Sequence, residues 1–384
     1  MLTLDQLPTV LQNTISNLIF ASSSTVSPQL AFSKRMLENN FQIFKRSLYL
    51  KDEHIFYSVK TNYHTEIIKK LSELGAGFEI GSLGDLTSLQ EHKIAPEKII
   101  FSHPVKIPNH ITQAYAYGVR TFAVDSESEL IKLSQHAPGC KIFVRLSSSN
   151  EGSDWKLTEK FGASLNEAKD LLKLAKDHQL NAVGISLHVG WNNKRIETWI
   201  EAIKIIYQFV NQCNKEKIQL KFVNLGGGFP SHNVNQYDMM NKISEGIGSM
   251  LLKMRNDFGI NVIAEPGSFL VNNAGFMLMR VYDIIKRKDT TWVYTDSGIF
   301  QGFYWILSGL KYELVYPYPI SSRDKMQKYT ITGPTLDSHD VFERDILLPQ
   351  KLKPNDFLLV YPAGAYVHSS ERYNGFGLPE VKIY

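Results

Sequence analysis

The sequence predicts an α/β protein in which a (β/α)8 barrel is followed by a mostly antiparallel β domain. Three observations predict it. Eight short apolar runs alternate with amphipathic stretches; the runs read as buried on both faces, as parallel strands covered by helices require; and near Gly267 the alternation gives way to β-rich runs separated by turns.

The apolar runs are Ile55 to Val59, Gly77 to Ile80, Ile99 to Ser102, Thr121 to Val124, Lys141 to Leu146, Ala182 to Val189, Phe222 to Leu225 and Val262 to Ala264. Between them, His64 to Leu74 repeats Ile67, Ile68, Leu71 and Leu74 at helical spacing. Leu165 to His178 does the same with Ala168, Leu171, Leu172 and Ala175. Beyond Gly267 the β-rich runs are Met277 to Lys286, Thr291 to Thr295, Lys328 to Thr332 and Phe357 to Tyr361, with Pro and Gly in the turns. The domains expected are therefore 25–270 for the barrel and 271–384, joined by 1–24, for the β domain.

Composition narrows the setting. The 384 residues are enough for a barrel of about 250 residues and a second domain. Only two cysteines are present, Cys140 and Cys213, so neither a disulfide framework nor a thiolate metal site is expected. The net charge of +4 contains no long run of one sign, which argues against nucleic acid and anionic lipid as partners. Met1 to Ser24 lacks a basic leader region, and no apolar run reaches the length of a membrane span, so a cytoplasmic protein is expected.

Barrel enzymes carry their chemistry just beyond the C-terminal strand ends. Lys60, Glu79, His103, Asp125, Arg145, His188, Gly226-Gly227-Gly228 and Glu265 occupy that position after the eight runs in turn. Alone, each has a plain structural reading: a solvated lysine, a hydrogen-bonded core histidine, a tight glycine turn, a loop glutamate. Together they make a pyridoxal phosphate site. Lys60 forms the Schiff base, with burial expected to lower its basicity. The glycine amides approach the phosphate, His188 stacks on the ring, and Glu265 keeps the pyridine nitrogen protonated so that the ring accepts electrons, as decarboxylation requires.

With these residues in this order, from about Ile55 to Phe376, the sequence resembles the ornithine/diaminopimelate/arginine decarboxylase family. These are fold-type III pyridoxal phosphate enzymes with an alanine-racemase-like barrel. The resemblance implies that Lys60 carries the cofactor, that Glu79 and Arg145 line its pocket, and that His188, Gly226, Gly227, Gly228 and Glu265 act as above. It further implies that Tyr366 in Gly364-Ala365-Tyr366 binds phosphate, that Tyr373 in Tyr373-Asn374-Gly375-Phe376 lies near the substrate, and that the chain forms a head-to-tail homodimer with shared active sites.

Three positions depart from the family pattern. By that resemblance Leu336, in Gly333-Pro334-Thr335-Leu336-Asp337-Ser338-His339-Asp340, replaces a cysteine that protonates the α-carbon, which leaves His339, Ser338 and Lys60 as candidates to deliver that proton. Ser268 replaces a phosphate-binding arginine, and Trp191 a small serine, expected to crowd the phosphate side. Asp337 and Asp340 keep the acidic character that meets a distal ammonium. Gly302 to Leu307 carries no arginine for a distal carboxylate, which argues against diaminopimelate. The expected activity is decarboxylation of an L-amino acid or amino-acid-like moiety with a distal amine, such as an ornithine- or lysine-like or modified substrate in specialised metabolism. The alternative is a non-catalytic regulatory homologue that dimerises with an active decarboxylase. Racemisation fits less well, because Glu265 stands where such racemases use arginine.

Overall fold

A computed structural model describes all residues except 21–24, 155–159, 233–234 and 368–371. The chain forms two compact units, Glu38–Leu270, and Met1–Leu37 with Val271–Tyr384. The segment 25–37, expected with the barrel, thus falls with the C-terminal residues.

In the first unit eight strands form one parallel sheet in chain order. They are β1 (Phe56–Ser58), β2 (Gly77–Ile80), β3 (Ile99–Phe101), β4 (Thr121–Val124), β5 (Lys141–Arg145), β6 (Asn181–Ser186), β7 (Phe222–Asn224) and β8 (Asn261–Ile263). A parallel bridge between Ile55 and Ala264, with Phe56 N donating to Ala264 O at 2.9 Å, joins the first strand to the last. The expected (β/α)8 barrel is therefore present. Its strands are mainly apolar because both faces are covered: Phe78, Phe101, Phe122, Phe143, Ile185 and Val223 are all buried. Sequence signals start the outer helices. Ser82 and Ser164 cap their helices reciprocally with Asp85 and Glu167, and the Leu165–Asp177 helix buries Ala168, Leu171, Leu172 and Ala175, as its periodicity predicts.

The second unit is built on a nine-stranded, mostly antiparallel sheet. Its centre is β9 (Gly275–Arg287), which pairs with β10 (Thr290–Thr295) along one stretch and with both Gln29–Phe32 and β14 (Phe357–Tyr361) along another. The sheet also contains β11 (Glu313–Tyr316), β12 (Met326–Thr332) and β13 (Val341–Pro349). Leu2–Thr3 pairs with β11 and Glu380–Ile383 with Gln29–Phe32, so both chain ends join this sheet. Among the described residues no helix is long and apolar enough to cross a membrane.

Candidate active site

At the C-terminal end of the barrel four carboxylates, Glu79, Asp85, Asp125 and Glu265, feel the charge of Lys60, of Arg145 or of each other. Glu79, in β2, is buried and accepts a hydrogen bond from Ser58 Oγ at 2.5 Å. Glu265 lies two residues beyond β8. Its Oε1 accepts from Ser102 Oγ at 2.5 Å and from Asn224 Nδ2 at 2.6 Å. Burial, and then the neighbouring Glu79, push the Glu265 carboxyl well above its usual range; Ser102, Asn224 and Lys60 pull it back. Arg145 ends β5. Burial lowers its basicity, while Glu265, Asp125 and Glu79 hold it charged.

Lys60 sits on a short 3-10 turn, Val59–Thr61, that follows β1. Tyr57 Oη donates to Asn62 O at 2.8 Å, and Asn62 Oδ1 accepts from His64 N at 3.0 Å, which fixes the turn from both sides. Lys60 itself is exposed, which corrects the expectation that burial tunes its amine. What surrounds it is charge: Asp85, His103, His188 and Glu265 all feel its field. Asp85 is held in the turn after β2 by the amides of Gly81 and Ser82, at 2.8 and 3.0 Å.

His188 Nδ1 accepts from Gly190 N at 3.0 Å, which assigns the ring proton to Nε2. Burial first, then Arg145 and Lys60, hold its imidazole neutral, with a pKa far below the ordinary histidine value. Asp125 Oδ2 accepts from Gly162 N at 3.0 Å, and Phe161 beside it packs edge-on to His103 and under the Arg145 guanidinium.

The glycine triplet has no room for side chains. Gly226 has φ +64° and a Cβ there would stand 2.2 Å from Leu187 O; Gly228 has φ +90° and its Cβ would stand 2.1 Å from Gly190 O. A Cβ on Gly227 would lie 2.9 Å from Glu265 O and 3.4 Å from His188 Nε2. Asn224 links this turn to the carboxylate, since its Oδ1 accepts from Gly226 N at 2.9 Å while its Nδ2 donates to Glu265. Trp191 Nε1 donates to Ser268 Oγ at 3.4 Å.

The remaining candidates cluster in the other unit. Asp337 accepts from Tyr373 Oη, from His339 N at 2.8 Å, and lies 2.9 Å from His339 Nδ1. The Tyr373 hydroxyl and then His339 lower its carboxyl to about 2. Phe300 stacks on the Tyr373 ring at 3.8 Å, which fixes the phenol. Tyr366 has φ +59° and its ring meets Trp305 edge-on. Leu336 is fully exposed at 101%. Asp340 corrects the sequence reading. It is 0% exposed, and its carboxylate is occupied by Ile299 N, Thr335 N and Thr335 Oγ1 at 2.9, 3.1 and 2.7 Å, so it fastens the loop and faces no ligand.

Sequence reasoning missed Ser58, Ser102 and Asn224. All three lie at C-terminal strand ends, the signal that marked the others, but small neutral residues there are too common to stand out. Both cysteines are buried and free, and burial pushes Cys140 up to about 12 and Cys213 up to about 11, so neither supplies a reactive thiol.

The donor set fits pyridoxal phosphate: an amine for the aldehyde, a held carboxylate for the ring nitrogen, a neutral imidazole, and a side-chain-free cradle for the phosphate. Comparison with known proteins points the same way. Residues 34–272 match the family model for the pyridoxal-binding domain of pyridoxal-dependent decarboxylases. A lysine/ornithine decarboxylase from Selenomonas ruminantium is 31% identical over 361 residues, 93% of this chain and 90% of that one. Antizyme inhibitor 2 from Xenopus laevis is 28% identical over 339 residues, 84% of this chain and 73% of that one. The crystal structure of a lysine/ornithine decarboxylase complexed with cadaverine, from Vibrio vulnificus, aligns with a TM-score of 0.86 at 25% identity, covering 98% of this chain and 99% of that one.

Proposed function

The chain belongs to the pyridoxal-dependent decarboxylase family, and from that premise we propose that it releases CO2 from an L-amino acid or amino-acid-like moiety bearing a distal amine. The observation that carries this reading is Glu265, a half-buried carboxylate held by Ser102 and Asn224 among the same strand ends as Lys60.

Lys60 would bind the cofactor's aldehyde, and the turn of Gly226, Gly227 and Gly228 would receive its phosphate. Bound there, pyridoxal phosphate supplies a ring that takes up the electron pair left by the departing carboxylate. Glu265 holds the proton on the ring nitrogen. The imidazole of His188, held neutral by burial, would stack on the ring and add no second positive charge there. Glu79, Arg145 and Asp125 balance charge around the pocket. Asp337, ionised down to about pH 2, meets the distal ammonium beside Tyr373. His339 would take over protonation of the α-carbon from the missing thiol: Nδ1–H faces the Asp337 carboxylate, so Nε2 donates only when the ring is an imidazolium. The active form is a homodimer with shared sites, in keeping with the full exposure of Leu336, and works in the cytoplasm.

Purified chain should show the visible absorbance of lysine-bound pyridoxal phosphate, lost in Lys60→Ala. It should also release CO2 from at least one member of a panel of ornithine, lysine, arginine, diaminopimelate and conjugated amino acids. Absence of both signals sinks the proposal. Leu336 and the antizyme inhibitor relative favour one other reading, a regulatory homologue. That reading requires heterodimers with an active decarboxylase and no CO2 release from any substrate.

A further inference from the structure

Gly227 and Gly228 hold two backbone amides with no acceptor among the described residues. They belong to a turn whose backbone is locked. Gly226 N is tied to Asn224, Gly226 O accepts from Glu265 N at 2.8 Å, and Gly228 O accepts from Asn193 N at 2.8 Å. The amides are therefore presented by a rigid frame, as an anion cradle requires.

Beside this turn the Trp191 indole donates to Ser268 Oγ at 3.4 Å. The two residues come from different loops, one after β6 and one after β8. Trp191 directly follows Gly190, whose carbonyl packs on Gly228, and Ser268 follows Gly267, whose Cα packs so closely on the Lys60 turn that a Cβ would stand 2.2 Å from Thr61 Oγ1. Ser268 is 7% exposed. An indole N–H only donates, so the serine oxygen serves as its acceptor and the hydroxyl hydrogen is left to donate elsewhere. The His232 ring tilts against the Trp191 ring at 5.4 Å, which limits the indole's freedom to turn away.

We propose that Trp191 and Ser268 act as a coupled pair that binds the cofactor's phosphate. Ser268 Oγ–H donates to a phosphate oxygen, and the indole N–H of Trp191 fixes the hydroxyl's direction by occupying its lone pair. With the amides of Gly227 and Gly228 they form the phosphate's donor set. This rests on the proposed cofactor, and deepens it by naming how this chain grips the phosphate.

The test is equilibrium binding of pyridoxal phosphate and of pyridoxal, which lacks the phosphate, to the full chain and to Trp191→Phe, Ser268→Ala and the double variant. Binding is followed by cofactor absorbance and, for pyridoxal phosphate, by the phosphorus NMR shift of the bound phosphate. A hydrogen bond to a charged group contributes on the order of tenfold or more in affinity. Ser268→Ala should weaken pyridoxal phosphate binding by about that factor and Trp191→Phe by somewhat less, and the double variant should resemble Ser268→Ala. Each should move the phosphorus signal and leave pyridoxal affinity unchanged. Equal loss for both ligands would mean that the pair only supports the fold, and no change for either would mean that it does not touch the phosphate; each result overturns the proposal. Failure of the unsubstituted chain to bind either ligand would instead overturn the cofactor assignment itself.

Discussion

Ser102 Oγ donates to Glu265 Oε1 at 2.5 Å, joining residues 163 positions apart. This bond favours the ionised carboxyl against burial and against Glu79, which both raise its pKa. Glu265 must be ionised to hold a proton on the cofactor's ring nitrogen, so activity falls as pH drops toward its pKa. Ser102→Ala raises that pKa further, and the acidic limb of the kcat/KM profile should move to higher pH by about one unit. An unmoved limb would show that the bond has no part in the reaction.

Gly226 and Gly259 share φ +64°, but a Cβ on Gly226 meets Leu187 O at 2.2 Å whereas one on Gly259 meets nothing within 4 Å. Gly259→Ala should cost about 1 kcal/mol from backbone strain alone. Gly226→Ala should cost at least about 2 kcal/mol more and weaken cofactor binding, because the cradle must open. Chemical denaturation of the two variants measures the difference.

The depressed pKa of His188 makes stability depend on pH. Below about pH 6.5 the unfolded chain protonates this imidazole and the folded chain does not, so its contribution is complete above that value and fades as pH falls. Replacing His188 with glutamine should flatten the loss of stability between pH 7 and pH 5 by up to about 1.4 kcal/mol per pH unit. His54, His64 and His103 are lowered in the same direction, so some slope remains. Urea midpoints at several pH values give the comparison.

Asp337→Asn removes the charge offered to a distal ammonium while keeping a partner for Tyr373 and His339. The kcat/KM for an amine-bearing substrate should fall at least about tenfold, with little change for an analogue lacking that amine. Equal losses for both would move Asp337 out of substrate recognition.

Lys106 is a buried ammonium that has no part in the cofactor set. It pairs with Glu129 at 2.9 Å and donates to the carbonyls of His103, Pro104 and Ala123. Lys106→Met should destabilise the protein by about 3 kcal/mol or more, because buried Glu129 keeps only the Lys132 ammonium and the residue 106 amide. Lys106→Met with Glu129→Leu should cost less than the two single changes added, as a double-mutant cycle would show.

Lys60, His188, the glycine triplet and Glu265 were legible because each ends a short apolar run, a local pattern. The roles of Ser102 and Asn224 were not, since each takes its meaning from a carboxylate that arrives 163 and 41 positions later. Asp337 and Asp340 lie three residues apart and read alike as sequence. Only the turn between them sends one carboxyl to Tyr373 and the other to the Ile299 amide. The exposure of Lys60 likewise escaped prediction, because an apolar run does not reveal that its strand stops at Ser58 and a separate turn lifts the lysine out.

The sequence by itself determined the alternation that makes the barrel, the change to an antiparallel sheet and the types of residue at each strand end. Periodicity is local, so a single chain segment carries it. Only the tertiary structure decided which strand ends meet. Closure of Ile55 on Ala264 brings Glu265 to the mouth beside Lys60, and folding brings Trp191 onto Ser268, two departures 77 positions apart that the sequence presented as unrelated. Hydrogen bonding and charge act over a few ångströms of space, whatever the distance along the chain.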